Sequence, residues 1–442
     1  MNDIIQDEDI ENNEEQDIEN EQLGFVQPEI NTEEVLNSIK IDMDSNTEEP
    51  EIVESIEPEN IKQEDVIESK PKESSLPPVP KPKKNKEEIL EEKTKELYNE
   101  FSSFLEVKAD IKADIGVKQI IPTGIDLVDA VLGGGFGVGA MNIICGAPGS
   151  CKSMLAAQTL GNGQLKYKGD LIGAYLDSEE SMSSIRLSNL GIKYPKIKPY
   201  VDITVEKVFK FLEGLCLFKE EKKILDKPSV VIWDSIANTL SQREREADDI
   251  NTVIGYKARL LSILIPRYVA KLSQYNISLI CVNQLRDVLD MSRFGAPRDL
   301  KFLSHTKHMP GGNSLLYNSF QLIEMKIKSG INQDKDKYGF DGIIVKLKCV
   351  KNKLFSPNIE VEVVGSFVLG FSNFWTNYNF LVNSKRLKSG AWNTLITMPE
   401  KKFRTKDALN LYNDDPVFKE EFDRLSKEAI QKDIIEKYNP EV

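Results

Sequence analysis

The chain has 442 residues, 40% of them apolar and 29% charged, with a formal net charge of −14. That length accommodates two or three folded domains, and no apolar run approaches the roughly 20 residues of a membrane-spanning helix, which excludes a helical integral membrane protein. Five dispersed cysteines (Cys145, Cys151, Cys216, Cys281, Cys349) and only two histidines, His305 and His308, exclude a disulfide scaffold and offer no metal-ligating constellation. Three of the cysteines lie in apolar strand-like runs, and no signal peptide opens the sequence; both fit reduced thiols in a cytoplasmic protein.

Charge is unevenly spread. Residues 1–70 hold 24 Asp and Glu against 3 Lys, a net charge of −21, so the remaining 372 residues carry +7 within the total of −14. Self-repulsion and the lack of any sustained hydrophobic period predict a disordered acidic tail. It reads as a solubilising arm in preference to a mimic of nucleic-acid charge that competes for a basic groove. Residues 71–86, with Pro77-Pro78-Val79-Pro80-Lys81-Pro82, read as an extended spacer. Over 87–105, Ile89, Leu90, Leu97, Tyr98, Phe101 and Phe104 fit an amphipathic helix whose apolar face must be buried against its own core or a neighbouring protomer.

The apolar run 141–145 leads into Gly146-Ala147-Pro148-Gly149-Ser150-Cys151-Lys152-Ser153. This is the strand, phosphate loop and helix start of a P-loop, with Cys151 where a glycine is usual. Its backbone N–H groups would cradle phosphate oxygens, Lys152 would reach the β- and γ-phosphates, and the Ser153 hydroxyl would ligand Mg²⁺. Further short apolar runs at 171–177, 230–234, 277–283 and 320–327 alternate with helical segments such as 181–190, the pattern of a mostly parallel sheet covered on both faces. Ligands in such sheets bind at the carboxyl ends of the strands.

Those ends carry chemistry. Asp234 closes its strand as a Mg²⁺-shell carboxylate would. Asp177-Ser178-Glu179 closes another, and Glu179, with Glu180 as the fallback, is the candidate for orienting or deprotonating the attacking water. A plain helix-N-terminal acid is the alternative there. Asn283-Gln284 closes a third and opens a polar stretch, 286–309, where Arg286, Arg293, Arg298, Lys301, Lys307 and His308 are interleaved with Met291, Phe294 and Phe302. Basic residues that follow a phosphate backbone and apolar ones that meet bases suit single-stranded nucleic acid, the alternative being an ordinary surface loop. After about residue 365 the β-pattern stops, and 366–442 reads as a small, mostly helical module ending in the amphipathic stretch 416–436.

With these residues in hand, the chain resembles the RecA-type recombinases over residues 90–436, and among them the phage UvsX-type strand-exchange proteins. Pro122-Thr123-Gly124 and Gly133-Gly134-Gly135 are similar to the family's entry into the core, and UvsX-type members also tolerate a non-glycine before the P-loop lysine. The resemblance implies an α/β P-loop NTPase core (116–365), an N-terminal oligomerisation helix segment (87–115) and a small α-rich C-terminal domain (366–442). It also implies a DNA-dependent ATPase that uses ATP and Mg²⁺. Gly146, Pro148, Gly149, Ser150, Cys151, Lys152, Ser153 and Arg186 would hold nucleotide, with Arg186 where RecA places a tyrosine on the adenine. Ser153 and Asp234 would hold the metal, Glu179 would be catalytic, and Gln284 would sense the γ-phosphate at the root of the second DNA loop. Gly311-Gly312-Asn313 would close that loop. Val350-Lys351-Asn352-Lys353 resembles the segment whose lysines reach the neighbour's ATP, and Ser389-Gly390-Ala391-Trp392 matches the C-terminal domain. The first DNA loop would fall at 241–255, where Arg243-Glu244-Arg245-Glu246 is unusually acidic. The implied partners are single- and double-stranded DNA, further copies in a helical filament, a single-stranded-DNA-binding protein and a loading mediator, in the bacterial cytoplasm of a phage-infected host. A replicative-type helicase and a nucleotide-gated DNA-binding mediator without turnover are the alternatives.

Overall fold

Near-continuous apolar runs become strands buried on both faces. The computed structural model describes residues 117, 119–168, 170–192, 200–287, 307–332 and 338–439. The acidic tail, the spacer and the oligomerisation segment expected over 1–115 lie outside these residues. Five strands, β1 (Met141–Gly146), β2 (Ile172–Asp177), β3 (Ser229–Asp234), β4 (Ile277–Gln284) and β5 (Gln321–Ile331), run parallel in the order β5-β1-β4-β3-β2. These are the five runs expected from the sequence. β6 (Gly342–Asn352), β7 (Ile359–Ser366) and β8 (Gly370–Phe371) then extend the β5 edge, each antiparallel to its neighbour, to complete an eight-stranded sheet. β6 and β7 alternate inward Val345, Leu347, Val361 and Val363 with outward Lys346, Lys348, Glu360 and Glu362, so a search for continuous apolar runs passes over them.

Helices cover both faces, and strand alternation divides the core. Ile232 and Ile280 point to one side, where α1 (Asp126–Leu132) and α2 (Lys152–Tyr167) bring Leu127, Val131, Leu155 and Leu160. Val231 and Trp233 point to the other, against Phe209 and Leu212 and against Leu261 and Ile265. Between these helices in the chain stands α3 (Ser184–Asn189), followed by α4 (Val205–Glu221), which supplies the Phe209 pair, and α5 (Tyr256–Gln274), which supplies the Leu261 pair. Each such buried aliphatic side chain contributes about 1.5–3 kcal/mol of transfer free energy. α4 starts where the Thr204 hydroxyl accepts the Lys207 N–H. All five cysteines are free, four of them buried. Among the described residues no helix is long and apolar enough to cross a membrane.

Beyond the short α6 (Asn313–Asn318), the C-terminal module combines α7 (Asn373–Asn383), α8 (Ala408–Asp414) and α9 (Pro416–Ile430) around Phe374, Trp375, Tyr378, Phe418 and Phe422. α9 has proline at its first position and Asp415 as cap, accepting the N–H groups of Val417 and Phe418. The module is α-rich, as expected, and also holds a three-stranded antiparallel sheet of β9 (Leu387–Lys388), β10 (Asn393–Leu395) and β11 (Met398–Phe403) that the sequence reading did not anticipate. Strands of two to six residues are too short to show a period. Asp126 of α1 ties the module to the large sheet by accepting from the Asn373 and Asn377 side-chain amides.

Candidate nucleotide site

β1 lies inside the sheet between β4 and β5, and its last residue, Gly146, leads into the loop that ends at α2. A Cβ on Gly146 would drive into the Met325 carbonyl oxygen of β5, so only glycine lets the chain turn there. Gly149 has φ 74°, a backbone conformation that a side chain rarely adopts, although a Cβ there would meet nothing closer than Ile327 Cδ1 at 3.9 Å. Cys151 sits at φ 61°, in the left-handed region, and caps α2 without a side-chain bond. The position demands what a glycine would provide, and the cysteine occupies it at a cost of about 1–2 kcal/mol. Lys152 is only 8% exposed and donates to the Ala147 carbonyl at 2.8 Å. Burial pulls its pKa down, while the Asp234 and Glu179 carboxylates act against that shift.

The cavity beside this loop, about 390 Å³, is lined by Pro148, Gly149, Cys151, Lys152 and Ser153, together with Glu179, Arg186, Asp234 and Gln284. The structure thus gathers these residues from four separate strand ends and, with Arg186, from α3. Register explains the convergence: Gly146 pairs with Gln284, and Asp177 with Asp234, at the carboxyl edge. Asp234 is buried, and its Oδ2 accepts from the Tyr175 hydroxyl at 2.6 Å. Burial raises its pKa to about 6, with the Ser153 and Tyr175 hydroxyls opposing and the Glu179 and Asp177 charges adding. Its Oδ1 is buried without a hydrogen-bond partner.

An orphaned carboxylate oxygen beside a serine hydroxyl and an open loop fits a hydrated divalent cation that also contacts phosphate. Among the described residues no cluster of three or more His, Cys, Asp or Glu could hold a metal. Mg²⁺ here would therefore be held by Ser153, Asp234 and the nucleotide rather than by an all-protein cage.

Glu179 is held through both its backbone and its carboxylate. Its backbone N–H donates to Asp177 Oδ1 at 3.0 Å, while Asp177 Oδ2 accepts the N–H groups of Ser181 and Met182, both at 2.9 Å. The fully buried Asp177 therefore shapes the turn that presents Glu179. The Glu179 carboxylate accepts from Ser235 Oγ at 2.6 Å, Asn238 Nδ2 at 2.7 Å and Gln284 Nε2 at 3.4 Å, all on Oε1. The Asp234–Ser235 peptide is cis. Glu180, the fallback, has φ 52° and does not line the cavity.

Past Gln284, Arg286-Asp287 pairs antiparallel with Lys307-His308. Asn283 Nδ2 donates to the Pro310 carbonyl at 2.8 Å, and Gly311 and Gly312 turn into α6 with φ 99° and 84°. Both roots of the second expected DNA segment thus meet beside Gln284. Met291, Arg293, Phe294, Arg298, Lys301 and Phe302 lie outside the described residues. Lys351 and Lys353 do not line the chain's own cavity. Lys351 Nζ bonds the Leu316 and Tyr317 carbonyls, each at 2.9 Å, and Lys353 Nζ stands 5.9 Å from the Phe320 ring centre.

Two residues of this neighbourhood, Phe367 and Asn238, have no counterpart in the sequence reading, and a third, Asp177, is named there without a role. Phe367, in the turn between β7 and β8, lines the cavity while 45% exposed. Asp177 stands next to residues that were singled out, and its place at the end of an apolar run was a readable signal. Asn238 carries none, being one polar residue within a turn.

Comparison with known proteins agrees with this arrangement. The RecA N-terminal domain family matches residues 89–372. Protein RecA of Thermus aquaticus is 28% identical over 312 residues, covering 70% of this chain and 84% of that protein. Protein RecA of Nautilia profundicola is 27% identical over 311 residues, 70% and 82% of the two chains, and Protein RecA of Mycoplasmopsis pulmonis is 26% identical over 345 residues, 78% and 94%. The family match spans more than half of the sequence, and the chain belongs to the RecA family.

Proposed function

We propose that this protein is an ATP-dependent DNA recombinase that polymerises on single-stranded DNA and catalyses homologous pairing and strand exchange with duplex DNA. The observation that carries the reading is the contact between Glu179 and Gln284: the acid suited to water activation touches the residue from which the basic segment departs. Lys152 and the P-loop N–H groups bind the phosphates, Glu179 orients and deprotonates the attacking water, and Gln284 reports the γ-phosphate to the segment after it. Mg²⁺, when bound through Ser153 and Asp234, neutralises charge on the phosphate oxygens. A nucleotide that contacts Gln284 in one conformation and not in another shifts the population toward the first, so that ATP favours the DNA-bound form and hydrolysis releases it.

Arg186 and Phe367, which both line the cavity, suit a base, and Lys351 and Lys353, which do not line the chain's own cavity, suit the nucleotide of a neighbour in a filament. The basic residues of 286–307 would follow the DNA backbone, with Gly311, Gly312 and Asn313 closing the segment. Within the family we place the chain with the phage UvsX-type members, on the strength of Cys151 before Lys152. That placement carries with it a bacterial cytoplasmic setting, a single-stranded-DNA-binding protein to displace and a loading mediator.

The experiment is ATP hydrolysis with and without single-stranded DNA, for the native chain and Glu179→Gln. Strong stimulation by DNA that disappears in the variant supports the recombinase. DNA binding with no turnover in either condition makes the protein a nucleotide-gated binder, and unwinding of a forked duplex without strand exchange makes it a helicase.

A further inference from the structure

Two of the donors to Glu179 stand at the roots of chain segments that leave the carboxyl edge. Gln284 opens the second expected DNA segment, and Asn238 stands three residues before Ser241, where the first begins. Asn238 does not line the nucleotide cavity, yet its Nδ2 donates to Glu179 Oε1 at 2.7 Å, a shorter bond than the 3.4 Å from Gln284.

What lies behind Asn238 is a segment closed on itself. The Thr239 hydroxyl donates to the Ser235 carbonyl at 2.8 Å and accepts from Trp233 Nε1 at 2.8 Å. Ser241 and Glu244 form a reciprocal cap on the helical turn Gln242–Glu246. At the far end, in the first turn of α5, the Lys257 ammonium returns under the Asn238 turn. It donates to the carbonyls of Ile236, Ala237 and Thr239 at 3.2, 3.1 and 2.9 Å. The carbonyls on either side of Asn238 are thus fixed by a residue from the other end of the same segment. A shift of 241–257 that moves Lys257 must release that turn, and with it the donor on Glu179.

We propose that Asn238 is a positioning residue that couples the conformation of segment 241–257 to the orientation of the Glu179 carboxylate. This rests on the reading of Glu179 as the group that activates water. The three donors all hold Oε1, so Oε2 can engage water without breaking any of them. Losing the Asn238 bond lets the carboxylate swing about its last torsion, a misplacement of the kind that lowers turnover without changing substrate binding.

The test is DNA-stimulated ATP hydrolysis by full-length Asn238→Ala, Asn238→Asp, Lys257→Met and the Asn238→Ala/Lys257→Met double variant, with Glu179→Gln alongside. Asn238→Ala is expected to lower kcat about tenfold with KM for ATP within about twofold. The isosteric Asn238→Asp turns the donor into a like charge, so its deficit is larger near neutral pH and narrows below about pH 6, where a protonated carboxyl donates again. A residue that merely filled space would show no such pH dependence. Lys257→Met is expected to lower kcat as well, and the double variant to be no slower than Asn238→Ala alone. Multiplicative effects overturn the coupling; if Lys257→Met fails to fold, the Asn238 pair decides. Both Asn238 variants within twofold of the native kcat, while Glu179→Gln is inactive, overturn this proposal and leave the reading of Glu179 intact. Full turnover by Glu179→Gln overturns both.

Discussion

The same strands end in opposite ways. At the amino end of β3 and β4 stands Lys219, wholly buried, its ammonium donating to the Lys227 carbonyl at 2.6 Å, to Ser229 Oγ at 3.1 Å and to the Tyr275 carbonyl. Three neutral acceptors satisfy its three donors, and burial pushes its pKa down to about 8, against the pull of Cys216 and Asp226. At the carboxyl end, Asp234 is equally buried but keeps one oxygen without a partner, and Glu179 is aimed into a cavity. Complete satisfaction makes a joint; incomplete satisfaction at a well-held edge makes a place for a ligand. The difference teaches that burial of charge alone does not locate function: a buried charge left open beside a cavity does.

The largest effect that could break this comparison is at the carboxyl end. Glu179→Gln is expected to lower the DNA-stimulated kcat by about 10² to 10⁴, the range of general acid–base catalysis, with the melting temperature moved by no more than about 2 °C. A large drop in stability would mean that Glu179 holds the edge together as Lys219 does. At the amino end the expectation reverses. Lys219→Met leaves two carbonyls and a hydroxyl without their donor and should cost on the order of 2 kcal/mol in urea unfolding, with KM for ATP unchanged.

The pH dependence carries its own sign. Lys219 has a folded pKa of about 8 against the ordinary 10.5 of a lysine, so between those values the unfolded chain binds more protons than the folded one. The native chain's stability advantage over Lys219→Met should therefore grow as pH rises from about 8 toward 10.5. An advantage that shrinks across that window would show that the ammonium is not desolvated.

How much of this was legible follows from where each residue stands along the chain. Gly146, Lys152, Asp234, Glu179 and Gln284 sit at or just past the ends of apolar runs, and a parallel sheet puts such ends on one edge, so their meeting could be expected from spacing. Lys219 looks like one more basic residue on a helix; its burial depends on Tyr275, 56 residues away. Asn238 and Lys257 meet across a folded-back segment with no period, and Phe367 reaches the cavity from a turn beyond the parallel strands. The hairpin β6–β7 hid behind its alternating charges, and the C-terminal sheet behind the brevity of its strands. Long-range pairing, unlike periodicity, leaves no local trace.

A smaller effect sharpens the comparison by separating stability from activity at a single residue. Asp234→Asn keeps the shape and an acceptor for the Tyr175 hydroxyl while removing a buried charge. Above about pH 6, where the native carboxyl is ionised, the variant should be more stable by up to about 1 kcal/mol in denaturant unfolding and should lose ATP hydrolysis. Reduced stability would mean that the orphaned Oδ1 has a partner in solution.

Cys151→Gly is expected to change least. The native residue sits at φ 61°, where a glycine escapes the clash of its own Cβ but has more freedom to lose on folding. These terms oppose each other at about 1 kcal/mol each, so the melting temperature should move by less than about 3 °C. The thiol is half-buried and lines the cavity, and burial raises its pKa against the pull of Arg186 and Lys152, which disfavours a thiolate beside the phosphates. With no charge to contribute, the side chain acts through its bulk and a weak bond from its thiol to the Gly149 carbonyl at 3.7 Å. KM for ATP should then change by no more than about threefold, since trading one small apolar group is worth about 1 kcal/mol in a partly open pocket. A change in kcat beyond tenfold would instead make Cys151 a determinant of the chemistry, and the departure from glycine a functional one.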